Sequence, residues 1–121
     1  MAIKYKFEFV IALVIVGLVF FIQLYDEPES SDVVIEISSK QWEFEPSEIQ
    51  VKQGQSVTLK ITSTDISHGF ALEEYSIYAF VTPGDTVEIN FIANRVGVFE
   101  FFCNVFCGEG HSKHRGNLIV V

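Results

Sequence analysis

Two cysteines and two histidines occur within twelve residues near the C-terminus, in the segment CNVFCGEGHSKH. Cys103 and Cys107 are the chain's two cysteines, and His111 and His114 follow them. Thiolates and imidazoles are nucleophiles and are also ligands of soft or borderline metal ions. The segment lies between two stretches with strand character, and its two glycines disfavour a helix. We therefore expect a tight ligand loop between two strands.

This pattern of cysteines and histidines is compatible with four kinds of site. A disulfide between Cys103 and Cys107 would close a very small ring and leave both histidines unexplained. A structural zinc site usually has C-x-x-C turns, whereas three residues separate these cysteines. A cysteine–histidine nucleophile would need an oxyanion scaffold, for which the sequence has no pattern. Copper suits the soft thiolates and imidazoles best, and the other three remain alternatives.

An upstream histidine supports the copper interpretation. His68, in TSTDISHGF, follows a clean strand pattern and precedes Gly69. The chain has three histidines, and the other two lie in the cysteine loop. We expect His68 to be a ligand. Asp65, three residues earlier, could orient a ligand.

Short stretches with alternating or β-branched residues, separated by turn signals, predict an all-β sandwich or barrel. The pattern indicates seven or eight strands and no second helix, and residues 73–82 show no clear pattern. We expect Trp42 to be a core or edge aromatic. Five phenylalanines are expected to pack in the core and around the site: Phe91, Phe99, Phe101, Phe102 and Phe106. The strands are expected over residues 33–38, 41–44, 48–52, 56–62, 68–72, 86–92, 97–102 and 116–121.

Residues 9–22 (FVIALVIVGLVFFI) contain no charged or polar side chain, which predicts a transmembrane helix. Lys4 and Lys6 precede this stretch, so the positive-inside rule places the N-terminus in the cytoplasm and the rest outside. A cleaved signal peptide is the alternative, although the following QLYDEPESS has no small-x-small cleavage site. We expect an anchor over residues 1–25, a linker over 26–32 and one domain over 33–121.

The part of the chain after the anchor is acidic. Residues 26–121 contain 15 acidic and six basic side chains, a net charge of −9. Such a surface argues against nucleic-acid binding. It is suited to steering a basic partner, or it serves only to keep the domain soluble.

From about residue 38 to residue 121 the chain resembles the copper domain of cytochrome c oxidase subunit II. The resemblance runs through WEFEPSEIQVKQGQSVTLKITSTDISHGF, then PGD, then GVFEFFCNVFCGEGHSKHRG. It looks closest to the short form with a single N-terminal transmembrane helix. The resemblance implies a cupredoxin-like Greek-key β-sandwich or barrel, and a dinuclear copper centre of the CuA type.

The family's ligands are carried over by position. Cys103 and Cys107 would bridge two copper ions, His68 would bind one ion, and His111 the other. The backbone carbonyl of Val105 would be a weak ligand of the ion bound by His111. Acidic residues often stand at the Val105 position in mitochondrial-type enzymes and link the site to magnesium. Because valine has no carboxylate, we expect no magnesium site there.

His114 stands where the family has a methionine ligand. It would replace the thioether in a dinuclear site, or face solvent, or belong to a site that holds a single copper or delivers copper. Imidazole is a harder donor than a thioether, so the first interpretation predicts a lower reduction potential.

The resemblance also implies a function. The chain would be an electron-entry subunit without bond chemistry of its own, held beside a haem-containing catalytic subunit I of a terminal oxidase. Cytochrome c or another small redox protein would donate the electrons. The alternatives are a membrane-tethered copper carrier or assembly factor, a mononuclear relay, and the electron-entry subunit of a nitric oxide reductase.

Overall fold

The computed structural model describes residues 2–24 and 32–121. It contains one helix, α1, and nine strands, β1 to β9, within these residues. Two short 3-10 helices span Glu73–Tyr75 and His111–Lys113. The helix and strands are α1 (Ala2–Leu24), β1 (Val33–Lys40), β2 (Glu43–Glu45), β3 (Glu48–Val51), β4 (Ser56–Ser63), β5 (His68–Leu72), β6 (Ile77–Val81), β7 (Thr86–Ile92), β8 (Gly97–Phe102) and β9 (Arg115–Val120).

The strands form two sheets that enclose one core. One sheet has the order β2-β1-β4-β7, and the other has the order β3-β9-β8-β5-β6. The pairs β1–β4 and β3–β9 are parallel, and the remaining pairs are antiparallel. Side chains from both sheets belong to a single hydrophobic cluster. The expected all-β sandwich is therefore confirmed.

Strand β4 shows how the sequence pattern sets burial. Its residues alternate between buried and half-buried positions, because successive side chains of a strand point to opposite faces. Val57, Leu59 and Ile61 are essentially inaccessible and face the second sheet. Strand β5, HGFAL, is instead buried along its whole length, which places His68 inside the protein.

The structure assigns one segment that the sequence left open and corrects one expectation about an aromatic residue. Residues 73–82, which show no clear pattern in the sequence, form a 3-10 helix and the edge strand β6. Phe106 does not pack in the core, since 80% of its surface is exposed. It lies in the loop after β8, where strand periodicity no longer determines which side chains are buried.

The N-terminal helix α1 is longer than the apolar stretch that predicts it. Within α1, residues Lys6–Leu24 are long and apolar enough to cross a membrane, and none of this stretch is buried against the rest of the protein. The predicted linker lies outside the described residues, except for Asp32.

Candidate metal centre

Four of the predicted ligands come together at one end of the five-stranded sheet. His68 is the first residue of β5, Cys103 directly follows β8, and His114 directly precedes β9. Cys107 lies in the loop between β8 and β9. One ligand atom from each of these four residues lies within 4.8 Å of all the others, and all four residues are buried.

A hydrogen bond closes the base of the loop between β8 and β9. The N–H of Cys103 donates to the carbonyl oxygen of His114 at 3.0 Å. Phe102 and Arg115 stand opposite each other in the β8–β9 register. The end of one strand and the start of the next therefore hold the first and last site residues of the loop side by side.

The other two predicted residues lie beside this group. His111 is half-buried in the second 3-10 helix, and its Nδ1 is 3.5 Å from the Sγ of Cys107. The carbonyl oxygen of Val105 accepts a hydrogen bond from the Cys103 thiol at 3.0 Å. All six predicted residues thus share one neighbourhood, and their role as ligands remains a prediction.

His68 has one partnered and one unpartnered ring nitrogen. Its Nε2 is 2.7 Å from Oδ1 of Asp65, the contact expected from the sequence. Its Nδ1 is the one buried side-chain nitrogen or oxygen without a hydrogen-bond partner in the described part of the chain. An unpaired buried polar atom costs about 1–3 kcal/mol, so it calls for a ligand. The two imidazoles and two thiols of this cluster are a donor set suited to copper.

The acid–base properties of the group follow from burial. Burial, reinforced by the neighbouring Cys103, raises the pKa of the Cys107 thiol to about 12. Burial, reinforced by His68, lowers the pKa of His114 to about 4, although a hydrogen bond to the backbone of Glu43 acts in the opposite direction. At neutral pH the His114 ring is therefore neutral, with a lone pair free for a metal. A bound cation would favour the thiolate form of the cysteines.

Asp65 remains ionised beside His68. Its partial burial raises its pKa, but hydrogen bonds from the Gln41 N–H, His68 and the Ile66 N–H outweigh this effect. Together they lower the pKa of Asp65 to about 2. A carboxylate that contacts Nε2 fixes the orientation of the ring and leaves Nδ1 directed to the other side.

His114 lies deep in the protein. None of its surface is exposed. Its Nδ1 is 3.6 Å from the Sγ of Cys107, and its Nε2 is 3.0 Å from the Oγ of Ser39. The Phe44 ring lies 4.2 Å away between centroids. The interpretation in which His114 faces solvent is therefore wrong.

The sequence did not indicate the contacts that hold the outer side of the loop. The Nε2 of Gln41 and the Nε1 of Trp42 both donate to the carbonyl oxygen of Cys107, each at 3.0 Å. A Cβ at Gly110 would lie 2.3 Å from Cδ2 of Trp42, so the indole ring requires glycine there. Trp42, 37% exposed, is thus an edge aromatic that covers the loop. The glycines of the loop are the sequence signal from which this close approach could have been predicted.

Comparison with known proteins places this site in a family. A model described as "Cupredoxin-like domain" matches residues 10–120. Two proteins of Thermus thermophilus, both named cytochrome c oxidase subunit 2, are 36% identical to the chain over 77 residues, which is 64% of this chain. These matches cover 57% and 46% of the two relatives, about half of their length. Nitrous-oxide reductase of Cupriavidus necator is 35% identical over 92 residues, 73% of this chain and 14% of that protein.

Solved structures show the same fold. A chain of a heme-copper terminal oxidase dimer has a TM-score of 0.69 at 23% identity, covering 98% of this chain and 99% of that one. The periplasmic domain of cytochrome oxidase subunit II of Bradyrhizobium japonicum has a TM-score of 0.68 at 22% identity, covering 74% and 83%. The resemblance to subunit II that the motifs indicate is confirmed by the relatives, and the chain belongs to the family of cupredoxin-like domains.

Proposed function

We propose that the chain is a copper-binding electron-transfer subunit of a haem-copper terminal oxidase. The observation that carries this proposal is the unpartnered, buried Nδ1 of His68 beside two thiols and a second buried imidazole. Relatives named cytochrome c oxidase subunit 2 and the cupredoxin-like fold support it.

The residues divide into two ligand sets that share the thiolates of Cys103 and Cys107. His68 and His114 would complete the set for one copper, and His111 with the Val105 carbonyl would complete the set for the other. Copper held in this way supplies one-electron redox chemistry with little change of geometry. In this arrangement His114 takes the position of the family's methionine.

The protein's own groups keep the site dry and fixed. Asp65 holds the His68 ring, and the Gly69 N–H donates to the Cys103 sulfur at 3.3 Å. Gln41 and Trp42 hold the Cys107 carbonyl. These contacts come from groups outside the ligand atoms, so they would hold the ligands in one arrangement for both oxidation states.

The partners follow from the same family. The α1 helix would anchor the chain beside a haem-containing catalytic subunit, with the N-terminus in the cytoplasm and the copper domain on the outer side. Cytochrome c or another small redox protein would donate electrons, and the acidic domain would attract a basic donor.

The first test is the copper stoichiometry and low-temperature electron paramagnetic resonance spectrum of the full chain, reconstituted with copper in detergent. Two coppers per chain and a seven-line hyperfine pattern are expected, because one unpaired electron would be shared by both ions. A chain that binds no copper would refute the proposal.

One observation favours a second candidate, a mononuclear relay or a copper carrier. The four clustered residues, two histidines and two cysteines, already offer a complete ligand set for a single ion. One copper per chain with a four-line pattern would select this candidate. Co-purification with a haem-containing subunit would then distinguish a relay from a carrier.

A further inference from the structure

The two sheets are joined at the site by a hydrogen bond that neither the motif nor the family pattern indicates. Ser39 lies in β1 of the four-stranded sheet, and His114 leads into β9 of the other sheet. The Oγ of Ser39 is 3.0 Å from the Nε2 of His114, and 75 positions separate the two residues. Neither residue has exposed surface, so the contact is shielded from bulk solvent.

The position of the Ser39 hydroxyl is set by the sheet. Ser39 pairs with Phe44 of β2 and with Ser63 of β4, and its carbonyl oxygen accepts from the Thr64 N–H at 3.1 Å. The Phe44 ring packs against His114 and restricts its rotation. The hydroxyl is therefore a fixed partner for a ring that has little freedom to turn.

A neutral histidine carries its proton on one ring nitrogen, and the partner of each nitrogen decides which one. The two ring nitrogens of His114 face different groups: Nε2 faces Ser39, and Nδ1 faces the Cys107 sulfur at 3.6 Å. With the proton on Nε2, the ring donates to Ser39 and directs the Nδ1 lone pair to the sulfur side. With the proton on Nδ1, the Ser39 hydroxyl would instead donate to Nε2, and an N–H would point at Cys107 and block the Nδ1 lone pair.

We propose that Ser39 is a positioning residue that holds His114 in the Nε2–H tautomer, with Nδ1 free to bind copper. This inference rests on the proposed function, in which His114 is a ligand. Ser39 would touch neither the copper nor a redox partner, and it would act through the ring of His114. The backbone of Glu43 also interacts with the His114 ring, and it favours the protonated form of that ring.

The direct test is nitrogen-15 NMR of the histidine rings in the full chain, metal-free and reduced, in detergent micelles. The wild-type protein is expected to show one His114 tautomer, with the proton on Nε2. Ser39→Ala is expected to show both tautomers, because the acceptor is lost. Ser38→Ala is the matched control, since Ser38 is the half-buried neighbour on the opposite face of β1. It should leave the His114 signals unchanged.

The second readout is copper affinity, measured by competition with a chelator. Loss of a hydrogen-bond partner behind a ligand typically costs about 10–100-fold in metal affinity. We expect Ser39→Ala to lose about tenfold or more, Ser39→Thr to recover most of this through its hydroxyl, and Ser38→Ala to lose nothing. Circular dichroism melting of each variant checks that it is folded.

Two results would overturn the inference. One is a proton on Nδ1 of His114 in the wild-type protein, a measurement that needs no variant to fold. The other is a folded Ser39→Ala with wild-type ring signals and wild-type copper affinity. A wild-type chain with the Nε2–H tautomer that binds no copper would refute the proposed function instead, so the two failures are distinguishable.

Discussion

The site has two sides that differ in how they are held. The buried half consists of His68, Cys103, Cys107 and His114, and the rim consists of Trp42, Phe106 and His111. Every residue of the buried half is inaccessible or nearly so, whereas Trp42 is 37% exposed and Phe106 is 80% exposed. Three residues of the buried half begin or directly flank strands, whereas Phe106 and His111 belong to the loop.

This difference shows where a metal ion would find fixed ligands. The rim is open to solvent, whereas the unpartnered Nδ1 of His68 is buried. The buried half therefore combines fixed geometry with a polar atom that is suited to bind a ligand. The rim contributes access and a covering layer, and its residues tolerate change more readily. Variants that affect one side and spare the other test this contrast.

The largest contrast is expected in stability, between two phenylalanines. Phe44 is 2% exposed and packs edge-on against Phe70 and Phe101. Phe44→Ala should lower the free energy of unfolding by about 3–5 kcal/mol, because it leaves a cavity. Phe106→Ala should change it by less than about 0.5 kcal/mol, as for most surface positions. Denaturant unfolding of the full chain in detergent measures both, and equal losses would contradict the contrast.

Copper affinity should distinguish His68, in the buried half, from His111, at the rim. His68→Ala removes a buried ligand and leaves the thiols without a fixed imidazole. We expect the loss to exceed the roughly 10–100-fold that is typical when only a partner behind a ligand is removed. His111→Ala removes a half-buried ligand at the rim, and we expect a loss of about tenfold. Chelator competition with Cu(I) gives both values. A larger loss for His111→Ala would reverse our assignment of the tighter ligand set.

A smaller effect is expected where the rim contacts the loop. Gly110→Ala would place a Cβ 2.3 Å from Cδ2 of Trp42, and this overpacking should cost about 1–3 kcal/mol of stability. Trp42→Ala in the same chain should recover part of the loss, because the clashing ring is gone. A double-mutant cycle measures this coupling. Strictly additive losses would show that the ring does not limit residue 110.

The smallest effect concerns the reduction potential. His114→Met should raise the potential of the copper-loaded chain, because a thioether favours Cu(II) less than imidazole does. A tenfold change in the relative affinity for the two oxidation states corresponds to about 59 mV, and we expect a rise of about this size. Ser112→Met, an exposed neighbour, is the control and should leave the potential unchanged. A fall in the potential, or no change, would contradict His114 as a ligand.

The sequence predicts the parts of this molecule that have a local pattern. Alternation predicts β4, and the spacing of Cys103, Cys107 and His111 identifies the loop. Strand β6, an edge strand, escaped prediction because its five residues, IYAFV, are all apolar, so the sequence shows no alternation of polar and apolar side chains. The contact between Ser39 and His114 has no local signature, since a serine in mid-strand acquires its partner only when the two sheets meet. Phe106 was assigned to the core from its residue type, but its loop position leaves it exposed.

The hydrogen bond between the Cys103 N–H and the His114 carbonyl has a consequence for evolution and design. It closes the base of residues 104–113 through backbone atoms alone, so it does not depend on the side chains at positions 103 and 114. A change in the length of this segment would therefore be accommodated within the loop, at a small entropic cost, while the two strand ends stay side by side.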